Sequence, residues 1–200
     1  MGTWTRGEKI LSLLDNLPND CLLILDEAYA EFAPNEAKTQ ISVDDPRVIR
    51  FRTFSKAYGI AGARIGYGLA SPDLIIEFDK IRNHFGNSLL SQVAAIAALE
   101  DQNYLLDVVK KIAVGREKLY ETAKKNGLSA IPSATNFVAI DCGKDNSFAV
   151  QVMNGLLEAN VFVRKPIVAP LDRTIRVSVG RDDELDIFDN VLPKVLKNVR

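Results

Sequence analysis

The sequence predicts an α/β protein, because short apolar runs alternate along it with segments of helical periodicity. Residues 21–25 form a continuous apolar run that ends in an acid pair, which is typical of a parallel strand buried on both faces. A second strand-like run covers residues 48–52, and a third covers residues 65–69 within a glycine-punctuated stretch. We expect these three strands to lie in one sheet.

Two helices are predicted around this first sheet. Thr5 and Glu8 have the spacing of a capping box, which predicts a helix over residues 6–17. Pro72 stands at a position typical of the first residue of a helix, and we expect that helix to continue to residue 81.

A long helical pattern follows, from residue 88 to about residue 126, and its character changes along its length. Residues 89–99 are apolar nearly all round, which predicts burial, whereas residues 108–125 are amphipathic. We therefore place a domain boundary inside this pattern. The predicted domains cover residues 1–107 and residues 108–200.

The second domain is predicted to be a smaller α/β lobe. Its expected strands lie near residues 136–140, 161–163 and 174–179, and its expected helices lie near residues 148–158 and from Asp182 onward. These elements complete the predicted chain order.

Charge and cysteine content exclude several classes of partner. Lys plus Arg total 25 and Asp plus Glu total 26, so the net charge of −1 provides no basic surface for nucleic acid. We expect no membrane span and no signal peptide, because no apolar stretch approaches the required ~18 residues. Cys21 and Cys142 form no Cys-x-x-Cys motif, so we expect no metal site and a reducing, cytoplasmic location.

The single histidine, His84, limits the chemistry further. A Ser-His-Asp triad, a Cys-His pair or a multi-histidine metal site would need residues that the chain lacks, which excludes most hydrolases. We expect His84 to be a surface or helix-end residue. The glycines after Lys56 match neither the Rossmann nor the P-loop pattern, so dinucleotides and nucleoside triphosphates are not expected ligands.

The remaining candidates for chemistry follow two predicted strands. Asp26 ends the first strand and Lys56 follows the second, and ligands of open α/β sheets bind at the carboxyl ends of the strands. Pyridoxal phosphate needs a lysine for its aldehyde, an anion for its pyridine nitrogen, and hydroxyls with an arginine for its phosphate. Thr53, Ser55 and Arg64 are candidates for that phosphate site.

Two other interpretations of these residues stay open. Each residue taken alone can be structural, because an aspartate at a strand end often caps a turn and a lysine beside a serine is often solvated. Thr53 and Lys56 also have the S-x-x-K spacing of an acyl transferase. Against that reading, threonine replaces serine and no S-D-N or K-T-G element follows.

Two segments of the chain resemble a known enzyme family. Leu-Asp-Glu-Ala-Tyr at residues 25–29 and Thr-Phe-Ser-Lys-Ala-Tyr-Gly-Ile-Ala-Gly-Ala-Arg at residues 53–64 resemble the class I and II pyridoxal-phosphate aminotransferases of fold type I. Within that family the two segments look most like the histidinol-phosphate aminotransferases. Residues 133–138 and 175–180 extend this resemblance along the chain. The resemblance implies part of the large cofactor-binding domain, with a mainly parallel sheet and helices, plus a smaller C-terminal α/β domain.

The resemblance also implies roles for individual residues. Lys56 would form the Schiff base with pyridoxal phosphate and move the proton between the substrate α-carbon and the cofactor's C4′ carbon. Asp26 would face the pyridine nitrogen, and Tyr29 would donate a hydrogen bond to the ring hydroxyl. Arg176 would bind the substrate carboxylate and Arg164 a distal phosphate or carboxylate, while the three phosphate-site candidates keep that role.

The family further implies an amino donor, a 2-oxo acid acceptor and a homodimer. Its members are usually nearly twice this long, and an Asn-Pro-x-x-Pro-Thr-Gly stretch normally ends where Gly2 and Thr3 stand, so we expect a C-terminal portion. Residues 82–88 depart from the pattern of histidinol-phosphate enzymes. Two alternatives follow: a decarboxylase of a phosphorylated amino acid, and a non-catalytic fragment that requires a complementary N-terminal half.

Overall fold

Two three-stranded sheets with flanking helices make up the fold. The computed structural model describes residues 1–199. By its internal contacts the chain divides into one unit over Trp4–Val109 and another formed by Met1–Thr3 with the chain from Lys110 onward. The assignment of residues 1–107 and 108–200 to a large and a small domain of the family fold stays a prediction.

The first unit holds a mixed sheet. Its elements are α1 (Gly7–Asp15), β1 (Leu23–Asp26), β2 (Val48–Thr53), β3 (Gly66–Leu69), α2 (Pro72–Asp79) and α3 (Leu89–Glu100). The strand order is β1-β2-β3, with β1 parallel to β2 and β2 antiparallel to β3. The expected mainly parallel arrangement therefore holds for the β1–β2 ladder but not for the β2–β3 ladder. The second ladder is antiparallel because the chain after β2 turns back through the 3₁₀ turn Ala61–Ala63 without a crossover helix.

The core of the first unit covers one face of this sheet. Leu14 of α1 packs with Ile41 and Val48, and Leu23 and Leu25 of β1 lie against them. The side chains of residues 22 and 24 alternate to the other face and are more than half exposed. The prediction that this strand is buried on both faces is wrong for the described chain.

The start of α1 also differs from the prediction. Arg6 is the extended residue before the helix, and its carbonyl accepts hydrogen bonds from Lys9 N and Ile10 N. No side chain caps the helix, so the predicted capping box of Thr5 and Glu8 is wrong. The helix begins one residue too late for Thr5 to act as its cap.

The long predicted helix is two helices. After α3, the backbone of Asp101 leaves the helical region, with φ −87° and ψ 70°. A second helix, α4 (Gln102–Lys125), then begins, and the Asp101 carboxylate accepts a hydrogen bond from Tyr104 N in its first turn. Asp101 therefore separates the two helices by capping the second.

The predicted burial of α3 is wrong. Ala95 is its buried residue. Its large apolar side chains are exposed, namely Leu89, Leu90, Val93, Ile96 and Leu99. An apolar pattern indicates that a helix favours burial, but the described chain does not cover these faces.

The second sheet is antiparallel throughout. Its elements after α4 are β4 (Ser129–Ile131), β5 (Phe137–Asp141), α5 (Asn146–Glu158), β6 (Thr174–Ser178) and α6 (Asp182–Val199). The strand order is β4-β5-β6, and the core includes Val138 and Ile140 of β5 with Leu156 and Leu192 of the helices. The predicted helices near residues 148–158 and from Asp182 are confirmed.

The strand predicted at residues 161–163 is absent, and β4 was not predicted. Val161 N instead donates to Leu156 O, so the segment closes the end of α5. The chain reaches the sheet only at Arg164, in an isolated bridge with Arg176. Within residues 1–199, no helix is long and apolar enough to cross a membrane.

Candidate functional site

Asp26 ends β1, and its carboxylate shapes the turn that follows. Asp26 Oδ1 accepts a hydrogen bond from Ala28 N at 3.0 Å. The 3₁₀ turn Ala30–Phe32 begins directly after, with Tyr29 as its preceding residue. The side chain of Asp26 is exposed and that of Tyr29 is half-buried, so both are accessible at the end of the strand.

Lys56 lies in the loop after β2, beside the end of β1. Its Nζ is 5.3 Å from the centroid of the Tyr29 ring. Ser55 N donates to Thr53 Oγ1 at 3.1 Å, which folds the loop tightly before the lysine. Because β1 and β2 are parallel neighbours, the acid-bearing turn and the lysine-bearing loop meet at one edge of the sheet.

Phe54 anchors this loop. Its ring is buried, with its centroid 5.0 Å from that of Tyr58 and 5.6 Å from that of Tyr67. Its carbonyl accepts from Ile60 N at 3.2 Å. The residues before and after Lys56 are therefore held by packing, while Lys56 itself stays half-buried.

Arg64 follows in a left-handed backbone conformation, with φ 51° and ψ 46°. Its Nη1 donates to Ala61 O at 2.9 Å. Ser91 Oγ donates to Ala63 O at 2.7 Å, which fixes the turn that presents the arginine. An arginine in this region of backbone space costs about 1–3 kcal/mol and persists only where its surroundings hold it.

Arg176 and Arg164 form the candidate anion-binding pair of the second unit. Arg164 N donates to Arg176 O at 3.1 Å, and Arg176 N donates to Arg164 O at 2.6 Å. Residues directly opposite in an antiparallel pair have side chains on the same face, so the two guanidinium groups share one face. Arg176 lies with its guanidinium carbon 4.3 Å from the centroid of the Phe137 ring, and its Nε is buried without a hydrogen-bond partner in the described part of the chain.

In the first unit the structure brings Lys56 close to Tyr29, and Asp26 lies at the end of the neighbouring strand. Thr53, Ser55 and Arg64 lie on the chain between β2 and β3, and no side-chain contact joins Arg64 to Lys56 among the described residues. In the second unit Arg164 and Arg176 lie opposite each other. His84 is exposed, in agreement with its predicted surface position. Residues 1–199 contain no cluster of three or more His, Cys, Asp or Glu side chains that could hold a metal ion.

Sequence reasoning missed an ion-pair network at the same edge of the sheet. Nε and Nη2 of Arg50 donate to the two carboxylate oxygens of Glu27 at 3.1 and 2.9 Å, and Nε of Arg52 donates to Glu27 at 3.0 Å. A signal was present: two arginines two residues apart in an otherwise apolar strand share one face and need acidic partners there.

These features coincide with a known family. The chain belongs to the aminotransferase class I and II family, whose model matches residues 1–191, so the family predicted from the motifs is confirmed. Among curated relatives, the histidinol-phosphate aminotransferase of a Geobacillus species is 36% identical over 201 residues, which cover 98% of this chain and 54% of that protein. The chain spans about half the length of the curated relatives it matches.

Solved structures agree with this placement. The crystal structure of histidinol-phosphate aminotransferase from Sinorhizobium meliloti in complex with pyridoxal 5'-phosphate is 50% identical, with a TM-score of 0.96. The match covers 100% of this chain and 55% of that one. A decarboxylase from Sulfurospirillum multivorans is also similar, with 26% identity, a TM-score of 0.75 and coverage of 98% and 53% of the two chains.

Proposed function

We propose that this chain carries the lysine, acid and arginine residues of a pyridoxal-phosphate-dependent aminotransferase acting on an amino acid or amino-alcohol phosphate. The observation that carries the proposal is the approach of Lys56 Nζ to the Tyr29 ring, beside the strand end that presents Asp26. The cofactor in the similar Sinorhizobium meliloti structure supports the choice of pyridoxal phosphate.

The residues at the edge of the first sheet fit that cofactor chemically. They offer a primary amine, a carboxylate, a phenol, two hydroxyls and a guanidinium, which are the groups its aldehyde, pyridine nitrogen, ring hydroxyl and phosphate require. Bound pyridoxal phosphate would supply an electron sink for the carbon–hydrogen bond broken at the substrate α-carbon.

Three residues carry the chemistry of the chain itself. Lys56 Nζ would be the point of covalent attachment and, when released, the base that moves the proton from the substrate α-carbon to the C4′ carbon of the cofactor. The Asp26 carboxylate would hold a pyridine nitrogen in its protonated form. Tyr29 would donate a hydrogen bond from its hydroxyl to the ring oxygen and so help to orient the cofactor.

Phosphate binding falls to the loop around Lys56. The hydroxyls of Thr53 and Ser55 are available on a tightly folded loop, and the exposed Arg64 guanidinium can donate two parallel hydrogen bonds to a phosphate. The hydrogen bond from Ser91 already holds the 3₁₀ turn before Arg64 in place. Binding of a phosphate therefore costs less conformational entropy, because this turn is ordered beforehand.

Arg176 and Arg164 provide positive charge for the anionic groups of a substrate. Two guanidinium groups on one face repel each other, so a bound carboxylate or phosphate relieves that repulsion. Arg176 is held by the Phe137 ring and keeps Nε free of the described protein partners. We assign the α-carboxylate to Arg176 and a distal phosphate or carboxylate to Arg164.

A decarboxylase of a phosphorylated amino acid is the second candidate, supported by the similar Sulfurospirillum multivorans structure. The two reactions use the same amine and the same ring acid but break different bonds at the α-carbon. Release of carbon dioxide from a phosphorylated amino acid, without conversion of a 2-oxo acid to an amino acid, would identify the activity as a decarboxylase and contradict the proposed aminotransferase.

The proposed partners are an amino donor, a 2-oxo acid acceptor and a second copy of the chain in a homodimer. The exposed apolar side chains of α3 support association, because solvated leucines and valines favour burial. The two free cysteines support a reducing compartment such as the cytoplasm. If activity needs a complementary half of the fold, the chain alone will hold the cofactor weakly.

Borohydride reduction in the presence of pyridoxal phosphate tests the proposal. We expect peptide mass spectrometry to find one major adduct at Lys56, and we expect Lys56→Ala to remove it. Lys38→Ala is the matched control, because Lys38 is an exposed lysine of the same unit. Adducts scattered over surface lysines, or equal labelling of both variants, would contradict a formed cofactor site.

A further inference from the structure

Glu27 is bound at both its backbone and its side chain. Its N–H donates to Phe51 O at 2.9 Å and its carbonyl accepts from Ala30 N at 3.0 Å. Its carboxylate accepts from Arg50 and Arg52 of the neighbouring strand. Glu27 therefore joins the end of β1, the turn that follows it and the middle of β2.

These ion pairs are shielded from solvent. The Glu27 side chain is 16% exposed, and that of Arg50 is 13% exposed. Hydrogen bonds to charged groups are stronger than those between neutral groups, and removal of one partner leaves the other charge buried and uncompensated. The loss of Glu27 would leave two arginines without their shared acid.

The nearby Glu31 cannot replace Glu27. Its carboxylate lies 3.8 Å from Arg52 Nη1, and its Oε1 is buried without a hydrogen-bond partner among residues 1–199. Burial raises the pKa of Glu31, which favours its neutral form. Burial opposes the charge of Arg52, but the hydrogen bond and charge attraction of Glu27, together with the interactions of Tyr67, outweigh burial and raise the pKa of that guanidinium.

The ladder between β1 and β2 is short, and Asp26 is its last paired residue, opposite Phe51. The turn that bears Tyr29 therefore lies beyond the regular pairing. Errors of about 1 Å in the position of a reacting group can cost about a hundredfold in rate. An ion pair that fixes this turn against β2 therefore also fixes the positions of Asp26 and Tyr29.

We propose, resting on the proposed function, that Glu27 is a positioning residue. Through Arg50 and Arg52 it holds the turn carrying Asp26 and Tyr29 in register with the strand that leads to Lys56. It touches neither substrate nor cofactor in this role.

The first test needs no cofactor. Hydrogen–deuterium exchange is measured on the full chain, on Glu27→Gln and on the control Glu36→Gln, which removes an exposed acid from the turn Asn35–Ala37. We expect amide exchange in residues 27–30 to accelerate about tenfold or more in Glu27→Gln and to stay unchanged in the control. Unchanged exchange in Glu27→Gln overturns the proposal.

The second test distinguishes positioning from simple stabilisation. At saturating pyridoxal phosphate, the pH midpoint of the absorbance of the lysine-bound cofactor is measured in the same variants. We expect the midpoint to move by about 0.5 pH unit or more in Glu27→Gln, because the charge of Asp26 shifts relative to the ring. Faster exchange with an unmoved midpoint reduces Glu27 to a structural brace and overturns the positioning role.

Arg52→Lys provides the second variant, because it keeps the positive charge but loses the guanidinium fork. We expect a smaller shift of the same sign as in Glu27→Gln, so the test holds even if the latter folds poorly. If the unsubstituted chain forms no adduct at Lys56, the proposed function fails and the positioning role fails with it. An adduct with unchanged exchange and midpoint in both variants overturns the positioning role alone.

Discussion

Lys56 and Tyr29 come from the ends of neighbouring parallel strands, and the lysine Nζ lies 5.3 Å from the centroid of the tyrosine ring. An ammonium group within about 6 Å of a ring face is attracted by the ring electrons. This attraction keeps the Tyr29 phenol beside the amine that is proposed to bind the cofactor. A substitution at either residue is therefore expected to affect the position of the other.

Tyr29→Phe keeps the ring and removes the hydroxyl. We expect the dissociation constant of pyridoxal phosphate to rise about tenfold, because a hydrogen bond of about 1.4 kcal/mol corresponds to that factor. Spectrophotometric titration measures it. Tyr104→Phe, at a half-exposed tyrosine of α4, is the control, and equal affinity of the two variants would contradict the role of the Tyr29 hydroxyl.

Gly66→Ala is expected to destabilise the first unit. A Cβ at Gly66 would lie 2.5 Å from Arg52 O, so β3 would have to move away from β2. We expect a loss of about 1–3 kcal/mol of unfolding free energy, measured by urea denaturation. Gly62→Ala is the matched control, because its Cβ would meet nothing within 4 Å. Similar losses in both variants would show that strand spacing is not the cause.

Leu156→Ala tests the core of the second unit. Leu156 of α5 is fully buried in the core of the second unit, whereas its neighbour Leu157 is 55% exposed on the same helix. We expect Leu156→Ala to lower the free energy of unfolding by about 2–5 kcal/mol and Leu157→Ala by much less. Thermal denaturation of the pair measures this. A larger effect at Leu157 would place the core elsewhere.

The two cysteines should differ in reactivity. Burial raises the pKa of the Cys142 thiol to about 11, whereas Cys21 is exposed. At pH 8 we expect iodoacetamide to modify Cys21 within minutes and Cys142 only in denaturant, because the thiolate is the nucleophile. Mass spectrometry of the alkylated peptides decides between this and equal labelling.

The raised pKa of the Cys142 thiol also predicts how the free energy of unfolding changes with pH. A folded-state pKa above the unfolded value means that the folded chain favours the neutral thiol. This contribution to stability is complete below the unfolded pKa and is lost as pH rises through about 11. Cys142→Ala should reduce the loss of stability between pH 9 and pH 11, and an unchanged profile would contradict it.

Local signals allowed much of the fold to be predicted. Pro72 starts α2 and the acids from Asp182 start α6 where the sequence indicates, because helix ends depend on nearby residues. The residues at the ends of β1 and β2 were identified for a similar reason, since a polar group after an apolar run marks a strand end. Such local signals do not show which residues, distant in sequence, pack on a given face of a helix or a sheet.

That limit explains the errors in burial and in the site. The apolar pattern of α3 predicted a buried helix, but burial depends on what packs against it. Asp101 reads as an ordinary helix residue until its backbone leaves the helical region. Glu27 was missed because its importance comes from arginines more than twenty positions later, a pairing that only the parallel register of β1 and β2 reveals.

Within the described chain, β1 pairs along one side only, with β2, and alternate side chains of its outer face are apolar and exposed. Such a strand offers a row of amide and carbonyl groups on which another extended chain can be added. A polypeptide with only the described elements is therefore expected to form sheet-mediated aggregates as its concentration rises, and Ile24→Lys is expected to reduce them.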